Sequence, residues 1–211
     1  MKSLAQRPSA TLFQPWPARL VGWSAVASGL ALIVVGEKPY FPSAWNLVVL
    51  LATLALYLGM LPIVWWMVQC LAARAGSDGG RANRIAEIAG LTGAICAAMV
   101  AILALPRWLS AAPAQILDTS ALGVIGLWLI VANALAFRMR LINRVLAIFG
   151  VLAGMSWLLA ALTMWAELIT GAGGGIVPTL ESVRILAGYV GSALYLLWVV
   201  WLGIWLLLRK R

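Results

Sequence analysis

An all-α, polytopic membrane protein with six transmembrane helices and cytoplasmic N- and C-termini is the fold this sequence predicts. Three observations predict it. Hydrophobic residues make up 64% of the 211, mean hydropathy is +1.01, and only 10% of residues are charged. A soluble chain of this length would keep a charged surface, so the apolar excess has to face lipid. The apolar runs are also continuous rather than alternating. A backbone in hydrocarbon must satisfy its own hydrogen bonds, which makes these runs helices and not barrel strands. Lastly, the basic residues gather in alternate connections between the runs.

Three parts follow: a cytoplasmic or interfacial segment at 1–19, a single six-helix transmembrane domain at 20–208, and a basic tail at 209–211. The first segment is polar, with Pro15-Trp16-Pro17 expected at the interface. Helix 1 is expected over 20–36. Its Ala25-Val26-Ala27 falls inside the apolar run, too early for a cleavage site, so the helix is retained. The connector 37–42 carries two prolines, and helix 2 follows over 44–73 with Pro62 as a point of kinking. Gly76, Gly79 and Gly80 mark the next connector, 74–84, before helix 3 at 85–105.

Pro106-Arg107-Trp108 ends helix 3, and a loop runs past Pro113 to Asp118, read as the N-cap of helix 4 over 120–137. Arg138, Arg140 and Arg144 form a basic turn. Helix 5 is expected over 145–170. The glycine-rich stretch 171–175 lacks the Lys and Ser/Thr of a phosphate loop and reads as a flexible connector before helix 6 at 182–208. With the N-terminus inside, twelve Lys and Arg fall on the cytoplasmic side and three, Lys38, Arg107 and Arg184, on the other. That is the positive-inside pattern. Halves with matching interruptions are not evident, so an inverted-repeat transporter is not indicated.

The chemistry on offer is sparse. The chain has no histidine, which removes Ser–His–Asp and Cys–His mechanisms and the usual haem ligand. Cys70 and Cys96 form no metal-binding spacing and read as apolar residues. Glu167, near the end of helix 5, is the best polar candidate. Arg184 and Glu181 lie just across the connector, so Glu167 and Arg184 are expected to pair and tie two helices together. A proton or solute site using Glu167, Arg184, Glu181 and Asn133 is the sharper alternative. Glu87 reads as a carboxylate in the first turn of helix 3. Asn133, Gln69, Ser156 and Thr163 are polar glue between or along helices.

Gly150 and Gly154 make a GxxxG pair on helix 5, and Gly188 and Ser192 a small-residue pair on helix 6, both expected to be packing faces. Of the twelve tryptophans, Trp16, Trp45, Trp108 and Trp165 suit the membrane interface. Trp198, Trp201 and Trp205 recur at helical spacing. They read as a lipid-facing or core stripe, or as a surface for another subunit or a hydrophobic pigment or quinone. The basic turn Arg138, Arg140 and Arg144 could contact anionic lipid, although topology alone accounts for its charge.

The run Leu129-Ile130-Val131-Ala132-Asn133-Ala134-Leu135-Ala136-Phe137, the stretch 145–159 and Trp201-Leu202-Gly203-Ile204-Trp205 resemble a bacterial family of small six-helix multi-pass membrane proteins of unknown function. The resemblance is strongest over 129–208. The chain departs from the family at Ile142-Asn143-Arg144-Val145, where a short proline-tryptophan sequence is the family pattern. The resemblance implies the six-helix layout and brings no catalytic residues.

The function expected is a non-catalytic structural or accessory subunit of the bacterial cytoplasmic (inner) membrane. It would pack against lipid, other membrane subunits or a second copy, without nucleic acid, metal or a predicted cofactor, and with room for a non-covalent hydrophobic ligand or lipid. A small-solute or proton-coupled transporter and a lipid-modifying membrane enzyme are the alternatives.

Overall fold

A computed structural model describes residues 15–36, 43–75, 80–104, 111–170 and 177–208. The segments 1–14, 37–42, 76–79, 105–110, 171–176 and 209–211 lie outside the described residues. With them lie the expectations for Lys38, Arg107, Trp108, the glycine connector and the basic tail. Six helices run in chain order: α1 (Pro15–Gly36), α2 (Ser43–Ala75), α3 (Gly80–Ala104), α4 (Ala111–Arg138), α5 (Arg144–Thr170) and α6 (Val177–Leu208). Each packs on the next, and α6 packs back on α1, which closes the set into a ring of antiparallel neighbours.

The six-crossing prediction is corrected by helix length and composition. Among the described residues four helices are long and apolar enough to span: Leu51–Leu71, Gln115–Arg138, Arg144–Thr170 and Leu180–Leu208. In α1 the apolar stretch among the described side chains is Ala18–Ile33, about 24 Å of helix against a hydrocarbon core of about 30 Å. α3 is the least apolar of the six and opens on Arg81, Arg84 and Glu87. The protein is therefore a multi-pass membrane protein in which, among the described residues, four helices have spanning length and apolarity and two further helices complete the ring.

Four helices start five or more residues earlier than the sequence reading: α1 at Pro15, α3 at Gly80, α4 at Ala111 and α6 at Val177. α4 begins at Ala111, because Pro113 stands in its first turn, where a missing N–H costs nothing. Asp118 is therefore two turns inside the helix rather than its cap. α3 begins at Gly80, so Glu87 is not in its first turn. α2 continues through Pro62 as one helix.

Glycine sets the closest contacts. A Cβ on Gly126 of α4 would stand 2.6 Å from the Gly154 carbonyl oxygen of α5, and one on Gly150 would overlap the Asn133 amide. The α5 GxxxG face is thus pressed on α4 at backbone distance. The α6 pair is different: a Cβ on Gly188 would meet nothing within 4 Å. The buried face of α6 is instead Ala187, Gly191, Tyr195, Trp198 and Leu202, where Gly191 gives way to the Trp157 indole.

Candidate functional site

The polar side chains of the ring interior are joined in short ties between helices. Asn133 on α4 is fully buried, donates to the Leu129 carbonyl (2.8 Å) and accepts from Trp198 Nε1 on α6 (2.9 Å). Ser28 on α1 donates to the Leu56 carbonyl of α2 (3.2 Å), and its hydroxyl lies 3.0 Å from that of Tyr195 on α6. Tyr57 on α2 donates to Asp118 Oδ1 on α4 (2.6 Å). In low dielectric each such bond is protected from competing water, and all but Asn133 to Leu129 join two helices.

Aromatic rings fill the space around these ties. Trp128 meets Trp198 edge to face at 6.3 Å, Tyr195 lies 5.8 Å from Trp198, and Trp157 lies 4.9 Å from Tyr195. All four are among the largest fully buried side chains of the protein. The indole N–H groups of Trp66, Trp128 and Trp157 are buried without an acceptor. The middle of the ring is plugged by aromatic packing.

The residues singled out from sequence separate into three places. Glu167 and Arg184 meet at the α5–α6 end, with Arg184 Nε 3.4 Å from Glu167 Oε2 and Arg184 Nη2 3.8 Å from Glu181 Oε1. Asn133 is not with them. It faces Gly150, and the path along α5 from Gly150 to Glu167 is roughly 25 Å. The structure does not bring these groups into one polar site. The tryptophan stripe also divides: Trp198 is wholly buried, Trp205 packs partly against the core, and Trp201 is outward at 39% exposure beside Phe149. Gln69 is exposed rather than interior, and Ser156 and Thr163 bond back to their own helix. Trp165, half exposed near the Glu167 end, donates to Ser120 (3.2 Å).

The third place is the basic turn. Leu141 N–H bonds the Ala136 carbonyl (2.9 Å) and Arg140 N–H that of Phe137 (3.1 Å). This double closure ends α4 with its penultimate turn residue in the left-handed region, a place usually given to glycine. Arg140 occupies it at φ 54°. Asn143 then caps α5, its Oδ1 accepting from Val145 N–H at 3.0 Å. Arg144 follows as the first residue of α5, at the positive end of the helix dipole. Arg138, Arg140 and Arg144 are all exposed, and no ion pair involves them among the described residues.

Directly beside this turn a groove of about 270 Å³ opens between α4 and α5, lined by Ala134, Phe137, Ala147, Ile148, Val151 and Leu152. Every lining residue is apolar. Sequence reasoning missed the groove, which depends on how the faces of α4 and α5 meet beside Gly150. The only legible signal was the small residue Ala134 one turn from Phe137.

No group of three or more His, Cys, Asp or Glu that could hold a metal occurs among the described residues. Cys70 and Cys96 are not joined in a disulfide. No protein-family model matches the chain. No curated protein and no solved structure matches it either.

Proposed function

We propose that the protein is a non-catalytic component of a bacterial cytoplasmic membrane, acting by packing against another membrane subunit or a second copy of itself. One observation carries this reading. Three interior side-chain pairs serve as helix–helix ties, Asn133 with Trp198, Ser28 with Tyr195, and Tyr57 with Asp118. Tyr57, the hydroxyl among these that is set against a carboxylate, is buried between helices. Outside, α6 offers a broad apolar surface through Leu186, Tyr189, Leu197, Trp201 and Ile204. The arginine-bearing end, with Arg19, Arg84, Arg138, Arg140 and Arg144, is the end that the positive-inside rule assigns to the cytoplasm.

Extraction in a mild detergent followed by native mass measurement tests this reading. A particle heavier than one 22.5 kDa chain by a discrete protein mass is expected. A strictly monomeric particle carrying no protein partner contradicts it. A transport reading through Glu167, Arg184 and Asn133 is disfavoured by their separation along the bundle.

A further inference from the structure

We infer that the α4–α5 groove and the arginine turn together form a binding site for one anionic phospholipid, with an acyl chain in the groove and the phosphate on Arg138, Arg140 and Arg144. The groove alone would say only that lipid touches it. Charge complementarity specifies the occupant. Phe137 and Ala147 mark the end of the groove nearest the turn, and Arg138 and Arg144 stand one and three residues from them in sequence. Ala134, Val151 and Leu152 continue the groove one turn deeper into the helices. Apolar wall and cationic mouth thus succeed each other in the order in which an acyl chain and its headgroup occur in a lipid.

The three guanidiniums have no carboxylate to neutralise them among the described residues, whereas Arg184, at the other end, has two. A guanidinium binds a phosphate through paired N–H donors, so three exposed arginines flanking one turn favour a headgroup of net negative charge over a zwitterionic one, whose own cation they repel. The groove is open along the Phe137, Ile148 and Leu152 side, at 45%, 50% and 43% exposure. A chain can therefore enter sideways from the bilayer without any helix moving.

The experiment uses the full chain reconstituted in nanodiscs of equimolar phosphatidylcholine and phosphatidylglycerol, then released into detergent for native mass measurement of retained lipid. Retention of one phosphatidylglycerol in preference to phosphatidylcholine is expected. Changing Arg138, Arg140 and Arg144 together to Gln should lower that retention at least about tenfold, since each near-surface cation contributes substantially to anionic-lipid affinity. Ala134→Trp fills the groove from an exposed position and leaves the charges intact; it too should abolish the retained lipid. Soluble glycerol phosphate should not displace the lipid, because it lacks the chain.

Equal retention of the two lipids overturns the proposal, as does full retention in the arginine variant. Loss in the arginine variant with full retention in Ala134→Trp also overturns it, by reducing the site to surface attraction. Displacement by glycerol phosphate would mean a free-phosphate site, and a protein occupying the groove in place of lipid would mean a subunit interface; either outcome refutes the lipid assignment. A protein partner bound elsewhere on the particle leaves the result unchanged.

Discussion

The two ends of α5 handle charge in opposite ways. At its carboxyl end Glu167 meets Arg184, which also faces Glu181, and the ions neutralise one another within the protein. At its amino end three exposed arginines stand in and beside the turn between α4 and α5, with no carboxylate in ion-pair reach among the described residues. One of them holds a left-handed backbone conformation, and another sits on the like-signed end of a helix dipole. The first end is closed on itself and ties helices together. The second end breaks two local preferences at once, which is where an outside partner is expected to supply the compensation.

The contrast can be broken at its foundation by forcing α4 from α5. Gly154→Leu must push against the Gly126 carbonyl and the Leu129 and Ile130 side chains. A loss of about 3 kcal/mol is expected, at the upper end for overpacking a tight contact. It would be read as a large fall in Tm of the detergent-solubilised protein, and an unchanged Tm would remove the close α4–α5 contact. Asn133→Leu comes next. It strips the acceptor from a buried Trp198 N–H, a loss of about 1–3 kcal/mol. The paired change Asn133→Leu with Trp198→Phe should recover part of that loss.

Two smaller changes sharpen the contrast. Arg140→Gly relieves the left-handed residue, so it should raise stability by about 1 kcal/mol. The same change should weaken retention of anionic lipid, an opposite movement of two readouts that a purely structural arginine would not give. Glu167→Gln should cost about 1 kcal/mol or less, because the pair is partly solvated. It should leave lipid retention untouched. A fall in lipid retention with Glu167→Gln would erase the distinction between the ends.

Six helices were legible because the apolar runs are long and their connectors carry Pro, Gly and Arg. Reading all six as crossings counted more than the four that, among the described residues, are long and apolar enough to span. Asp118 read as a cap because it precedes Thr119 and Ser120. Its partner, Tyr57, is 61 residues away and carries no local signal. The same holds for Trp198, whose inward direction is fixed by Asn133 on another helix. The Glu167–Arg184 pair was readable because a short connector separates two charges of opposite sign. The cap at Arg140 was hidden, since sequence reasoning looks for glycine at that place.

An α5 of spanning length puts the arginine turn and the carboxylate end on opposite faces of the membrane. Single cysteines in place of Arg140 and of Glu181, in a background of Cys70→Ala and Cys96→Ala, can be labelled with a membrane-impermeant maleimide in sealed vesicles of uniform orientation. Labelling of the two positions from opposite sides is predicted. Labelling of both from the same side would contradict the account.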